Sequence, residues 1–134
     1  MENINDNKFF RSARQRAGKI LDNRERLLNL LKASGDKIKE IDLTKMRENK
    51  FVDRLKVIIR MVKAYKNGEY RGVQIQNILL LVAALLYFVT PIDLIPDFIP
   101  ITGFVDDFAV VVWVYSRLQE EIDKFILWEK QTAD

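Results

Sequence analysis

A chain of 134 residues, 49% of them hydrophobic and with a net charge of +3, is the size of one domain and has the material for one buried core. It has no cysteine and no histidine, which removes disulfides, thiolate chemistry, the commonest metal ligand and the usual general base, and with them the tools of most enzyme classes. The charge is unevenly spread: up to Asn77 there are 19 Lys/Arg against 10 Asp/Glu, and from Ile78 onward 3 against 9. A basic half suits an anionic lipid surface, nucleic acid, or the acidic half of the same molecule.

Residues 1–7, MENINDN, are polar, expected to fray, and lack the early apolar run of a signal peptide. From Lys8 the pattern changes. Phe10, Ala13, Ala17, Ile20, Leu21, Leu27, Leu28 and Leu31 recur at helical spacing, with Arg11, Arg14, Arg16, Lys19, Arg24 and Arg26 over much of the remaining surface. The spacing predicts one basic amphipathic helix, stopped at Ser34-Gly35-Asp36 with Gly35 as a left-handed cap. Asp36 then opens a short second helix through Ile38 and Ile41, and DLTKMRENK reads equally as loop or helix. From Lys50 the apolar positions Phe51, Leu55, Ile58, Val62 and Tyr65 step by four, three, four and three, and Asn67-Gly68 ends the helix they predict. The two basic helices either cover the rest of the chain or lie on an anionic bilayer with their Lys and Arg stems snorkelling toward headgroups.

Between Val73 and Val89 the character shifts again. From Ile78 to Val89 every residue is apolar, so a helix there has no polar side and must be enclosed by protein or lipid. Twelve residues reach roughly 18 Å, short of the ~30 Å hydrocarbon layer, and extension back to Val73 brings in Gln74, Gln76 and Asn77. The second apolar arm, Phe108 to Tyr115, is shorter still, and beyond Ser116 it turns amphipathic, with Leu118, Ile122, Phe125 and Trp128 on one side. Tyr87, Trp113 and Tyr115 suit either a bilayer interface or a core.

The two arms meet in YFVTPIDLIPDFIPITGFVDD, Tyr87 to Asp107, which holds all three prolines and four aspartates. Each proline disfavours the α conformation in the residue before it, so the incoming helix should stop near Val89. Thr90-Pro91-Ile92-Asp93 reads as one capped helical turn, Pro96 ends it, and Thr102 is a fair cap for the second arm. The expected fold is all-α: a small helical bundle around an apolar helical hairpin with a Pro/Asp-rich corner. Its parts are a frayed N-terminus (1–7), basic amphipathic helices (8–72), the hairpin (73–128, one compact domain with 8–72) and a tail (129–134).

This corner resembles the YkvA-like family, a domain of unknown function catalogued as number 1232. An aromatic residue is followed by Ser/Thr-Pro-x-Asp-Leu-Ile-Pro-Asp, then Pro, Gly and Asp-Asp. The matching residues are Tyr87, Thr90, Pro91, Asp93, Leu94, Ile95, Pro96, Asp97, Pro100, Gly103, Asp106 and Asp107, within a resemblance over roughly 75–116. Thr90 stands where Ser is common and Phe104 where Tyr or Leu is common. The resemblance implies a compact helical, membrane-embedded domain without an established enzymatic activity.

Asp93, Asp97, Asp106 and Asp107 form an all-oxygen set that would suit Mg²⁺, Ca²⁺ or Mn²⁺, but Pro96 interrupts any helix joining the first pair, and adjacent residues on a helix point about 100° apart. Caps and turn bonds for Asp93, Asp97 and one of the adjacent pair, with an arginine of the first half for the other, are the preferred account. Nucleic-acid binding lacks an interleaved aromatic pattern and is not expected. The expectation is a non-enzymatic, membrane-associated helical protein without a cofactor, with lipid as partner and its basic half on the cytoplasmic side. The alternatives are a soluble bundle that binds another protein and a divalent-cation site at the acidic corner.

Overall fold

The computed structural model describes residues 8–41, 44, 46–89 and 107–132, and every regular element among them is an α-helix. These are α1 (Lys8–Leu21), α2 (Arg24–Ile38), α3 (Met46–Lys66), α4 (Ile75–Val89), α5 (Asp107–Arg117) and α6 (Gln119–Thr132). Buried residues from all six belong to one hydrophobic core.

The helix expected over the first third of the chain is two helices. Asn23 is extended (φ −116°, ψ 106°) and its Oδ1 accepts from the Arg26 amide at 3.1 Å, the side-chain cap that starts α2. The stop expected at Ser34-Gly35-Asp36 is not one. Ser34 is fully buried and its hydroxyl donates to the Leu30 carbonyl at 2.8 Å, so its polar group is satisfied within the helix and α2 runs on to Ile38. Asp36 therefore lies in the last turn of α2 instead of opening a helix of its own.

Helix α3 starts at Met46, so part of the ambiguous stretch before Lys50 is helical. Phe51, Val52, Leu55, Ile58, Met61 and Val62 bury its apolar stripe. It closes as Asn67-Gly68 predicts: Gly68 is left-handed (φ 77°), and the Glu69 and Tyr70 amides turn back to the Ala64 carbonyl at 2.9 and 3.2 Å.

Helix α4 is the centre of the bundle. Ile78 and every residue from Leu80 to Phe88 are buried, and α1, α2, α3 and α5 all lie against it. The segment that needed enclosure on every side is enclosed by protein. Its 15 residues reach roughly 22 Å, and no helix among the described residues is long and apolar enough to cross a membrane. The membrane span that the resemblance to a membrane-embedded domain implies is thus not found among the described residues. The two apolar arms do meet, α4 against α5, while the corner between them falls at 90–106, outside the described residues.

Helix α6 closes the bundle against α3 and α5. Its Phe125 and Trp128 rings stack 5.7 Å apart, and Tyr70 meets both, at 5.2 and 5.0 Å. On the surface above them Arg60 of α3 takes both carboxylate oxygens of Glu129, at 2.8 and 3.2 Å.

Candidate functional site

Of the corner residues, Thr90, Pro91, Asp93, Leu94, Ile95, Pro96, Asp97, Pro100, Gly103 and Asp106 lie outside the described residues. Tyr87, at its N-terminal edge, is buried in α4, and Asp107 is the first residue of α5. Among the described residues no group of three acidic side chains could hold a metal ion. Tyr115 is also buried and Trp113 half-buried with the Arg117 guanidinium 5.5 Å over its ring, so Tyr87, Trp113 and Tyr115 serve the core and its margin.

One contact at the edge of the corner escaped the sequence. The Lys37 ammonium, from α2, donates to the Phe88 carbonyl and lies 4.8 Å from the Phe88 ring centroid. Carbonyls in the last turn of a helix have no partner within it, and the C-terminal end carries partial negative charge. Helix α4 has no basic residue in its own last turn, so a cation from the basic half supplies one across the bundle. Continuing the α2 stripe past Gly35 places Lys37 three residues after Ser34 and seven after Leu30, a signal lost once the helix is ended at Ser34.

Six basic residues gather around the α1–α2 joint, where two clefts open. The first, about 450 Å³, lies between α1, α2 and α4 and is lined by Arg16, Lys19, Ile20, Arg26, Asn29, Leu30 and Leu86. The second, about 330 Å³, lies where the joint meets α3 and the start of α4; Arg24, Lys66 and Arg71 line it with Asp22, Leu21, Leu27, Tyr65 and Ile75. The Arg71 guanidinium lies 4.5 Å over the Tyr65 ring, which holds the charge at the mouth of this second cleft. Six cations thus stand against Asp22, the one acid lining either cleft among the described residues. Two of the large hydrophobic side chains that reach solvent belong to the same helices: Leu28 on α2 is 43% exposed, and Ile75, at the mouth of the second cleft, 50%.

These linings offer cationic hydrogen-bond donors above aliphatic walls, which suits binding an anionic group. The groups with displaced titration lie elsewhere. Burial, and then the Glu121 carboxylate, raise the Tyr70 phenol above its ordinary 10.0. Burial and Asp123 raise Tyr115 in the same direction against the opposing pull of Arg54, Arg60 and a Gln119 hydrogen bond. Both phenols are therefore neutral in ordinary buffers. Because the fold holds their protons more tightly than the unfolded chain does, the stability they contribute is complete below the unfolded pKa and is lost as pH rises through the folded one.

Residues 77–113, from α4 through the corner into α5, match the family described as Protein of unknown function (DUF1232). Over 89 residues the chain is 34% identical to the Uncharacterized membrane protein YkvA of Bacillus subtilis (strain 168), a match covering 66% of this chain and 84% of that protein. No solved structure matches.

Proposed function

The chain belongs to the YkvA-like family of proteins of unknown function (DUF1232), and from that premise we propose that it is a non-enzymatic, membrane-associated protein that rests on an anionic bilayer surface through the basic side around the α1–α2 joint. The observation that carries this reading is the gathering of Arg16, Lys19, Arg24, Arg26, Lys66 and Arg71 around two aliphatic-walled clefts, with Leu28 and Ile75 exposed on the helices that form them. Basic side chains near an anionic leaflet contribute about 1 kcal/mol each, and exposed aliphatic side chains add burial at the headgroup boundary. The Bacillus subtilis relative is named a membrane protein, which supports the same reading. Such a surface favours the cytoplasmic leaflet, whose lipids are anionic. Helix α4 keeps its place inside the bundle, and the protein lies on the membrane without crossing it.

Vesicle flotation tests this. The protein should float with vesicles of phosphatidylglycerol and phosphatidylcholine, stay behind with phosphatidylcholine alone, and be released by salt or carbonate. Failure to float with the anionic vesicles would overturn membrane association. Release by detergent alone would overturn the surface-bound form of it.

A further inference from the structure

We infer that the cleft between α1, α2 and α4 is a binding site for one phosphate-bearing amphiphile, a headgroup phosphate held by Arg16, Lys19 and Arg26 with the adjoining hydrocarbon against Ile20, Leu30 and Leu86. The ligand's source, a membrane phospholipid, rests on the reading above; the site itself does not.

The two walls repeat one pattern. On α1, Arg16, Lys19 and Ile20 stand at i, i+3 and i+4; on α2, Arg26, Asn29 and Leu30 stand at the same spacing. Residues so spaced share a helix face, so each wall presents a polar lip beside an aliphatic side chain. The floor comes from α4, where Leu86 shows 7% of its surface between the walls; Leu30 shows 6%. A volume of about 450 Å³ falls within the ordinary range for small-molecule sites and exceeds what a lone anion fills.

Charge complementarity selects the headgroup. Two guanidiniums and an ammonium around one space suit phosphate oxygens, which guanidinium forks bind in pairs, and Asn29 adds an amide for a neighbouring hydroxyl. Among the described residues no acid lines this cleft, whereas Asp22 offsets part of the charge in the second. The aliphatic walls select the rest of the molecule, since free phosphate would leave them wet. Among the described residues no aromatic side chain lines the cleft to stack a base, which disfavours a nucleotide strand.

The test uses the full chain and short-chain dihexanoyl phosphatidylglycerol below its micelle concentration, with inorganic phosphate and dihexanoyl phosphatidylcholine as comparators, read by calorimetric titration. Saturable binding of the phosphatidylglycerol is expected, with both comparators at least about tenfold weaker. The double variant Lys19→Gln/Arg26→Gln should weaken it about tenfold, and Arg24→Gln/Lys66→Gln, which removes equal charge from the second cleft, by less than roughly twofold. Lys19, Arg24 and Arg26 are exposed and Lys66 partly so, and circular dichroism checks that each variant folds.

Equal weakening by the two pairs would reduce the effect to general surface charge and overturn the site. So would inorganic phosphate binding as tightly as the lipid, or an absence of saturation. Flotation separates the two readings: vesicle binding without short-chain binding sinks the site alone, and short-chain binding without vesicle binding sinks the membrane reading alone.

Discussion

Helices α2 and α4 are both 15 residues long and lie against each other, yet they solve opposite problems. Helix α4 buries ten residues on all sides; α2 buries five along one stripe, Leu27, Leu30, Leu31, Ser34 and Ile38, and gives the rest of its circumference mainly to charged residues, with Leu28 also exposed. The difference teaches where each kind of information is kept. The central helix decides whether the bundle exists, and its wrapping helix decides what the bundle presents to its surroundings. Substitutions should therefore separate cleanly, stability from α4 and surface chemistry from α2, with Lys37 as the exception because it belongs to both.

The sharpest break in that contrast is Leu85→Ala, at a side chain with no solvent exposure in the most enclosed helix. We expect a loss of about 2–5 kcal/mol in urea denaturation followed by circular dichroism. A loss below about 1 kcal/mol would mean that α4 is not enclosed as described. Next comes Lys37→Met, which keeps the aliphatic stem but takes the donor from the Phe88 carbonyl and the cation from the end of α4; about 1–2 kcal/mol should go, and an unchanged midpoint would show that the two helices are not coupled there. The smallest effect is at the start of α2. Asn23→Ala should lower stability by about 1 kcal/mol and Asn23→Asp by much less, since a carboxylate can take the same amide; equal effects of the two would argue against the cap.

How much could be read in advance depended on how local the signal was. The stripe from Phe51 to Tyr65 and the turn at Asn67-Gly68 are local, and the all-helical class and α3 followed from them. The break at Asn23 is equally local, and its trace is the gap between Leu21 and Leu27, filled by Asp22, Asn23, Arg24, Glu25 and Arg26, but the run of leucines on its far side hides it. Gly35 misled in the other direction, because a glycine after a serine looks like a terminus unless the serine hydroxyl is known to turn back to Leu30. Whether Ile78 to Val89 is wrapped by lipid or by protein is not a local property at all. Its composition fits both, and only the placement of α1, α2, α3 and α5 decides. The clefts share that character: Arg16, Lys19 and Arg26 were legible as surface cations, but that they flank one space with Leu86 beneath depends on how two helices lean on a third.

The central position of α4 has a consequence for biosynthesis. A ribosome makes α1 to α3 before the helix they surround, and at roughly 5–20 residues per second the interval between Leu21 and Val89 is about 3–14 s. During that interval the nascent chain displays cationic helices with uncovered greasy stripes, the same features that draw peptides to lipid headgroups. Until α4 is made, the stripes of α1 to α3 lack the helix they bury against, and the interior closes only once α5 and α6 have followed it.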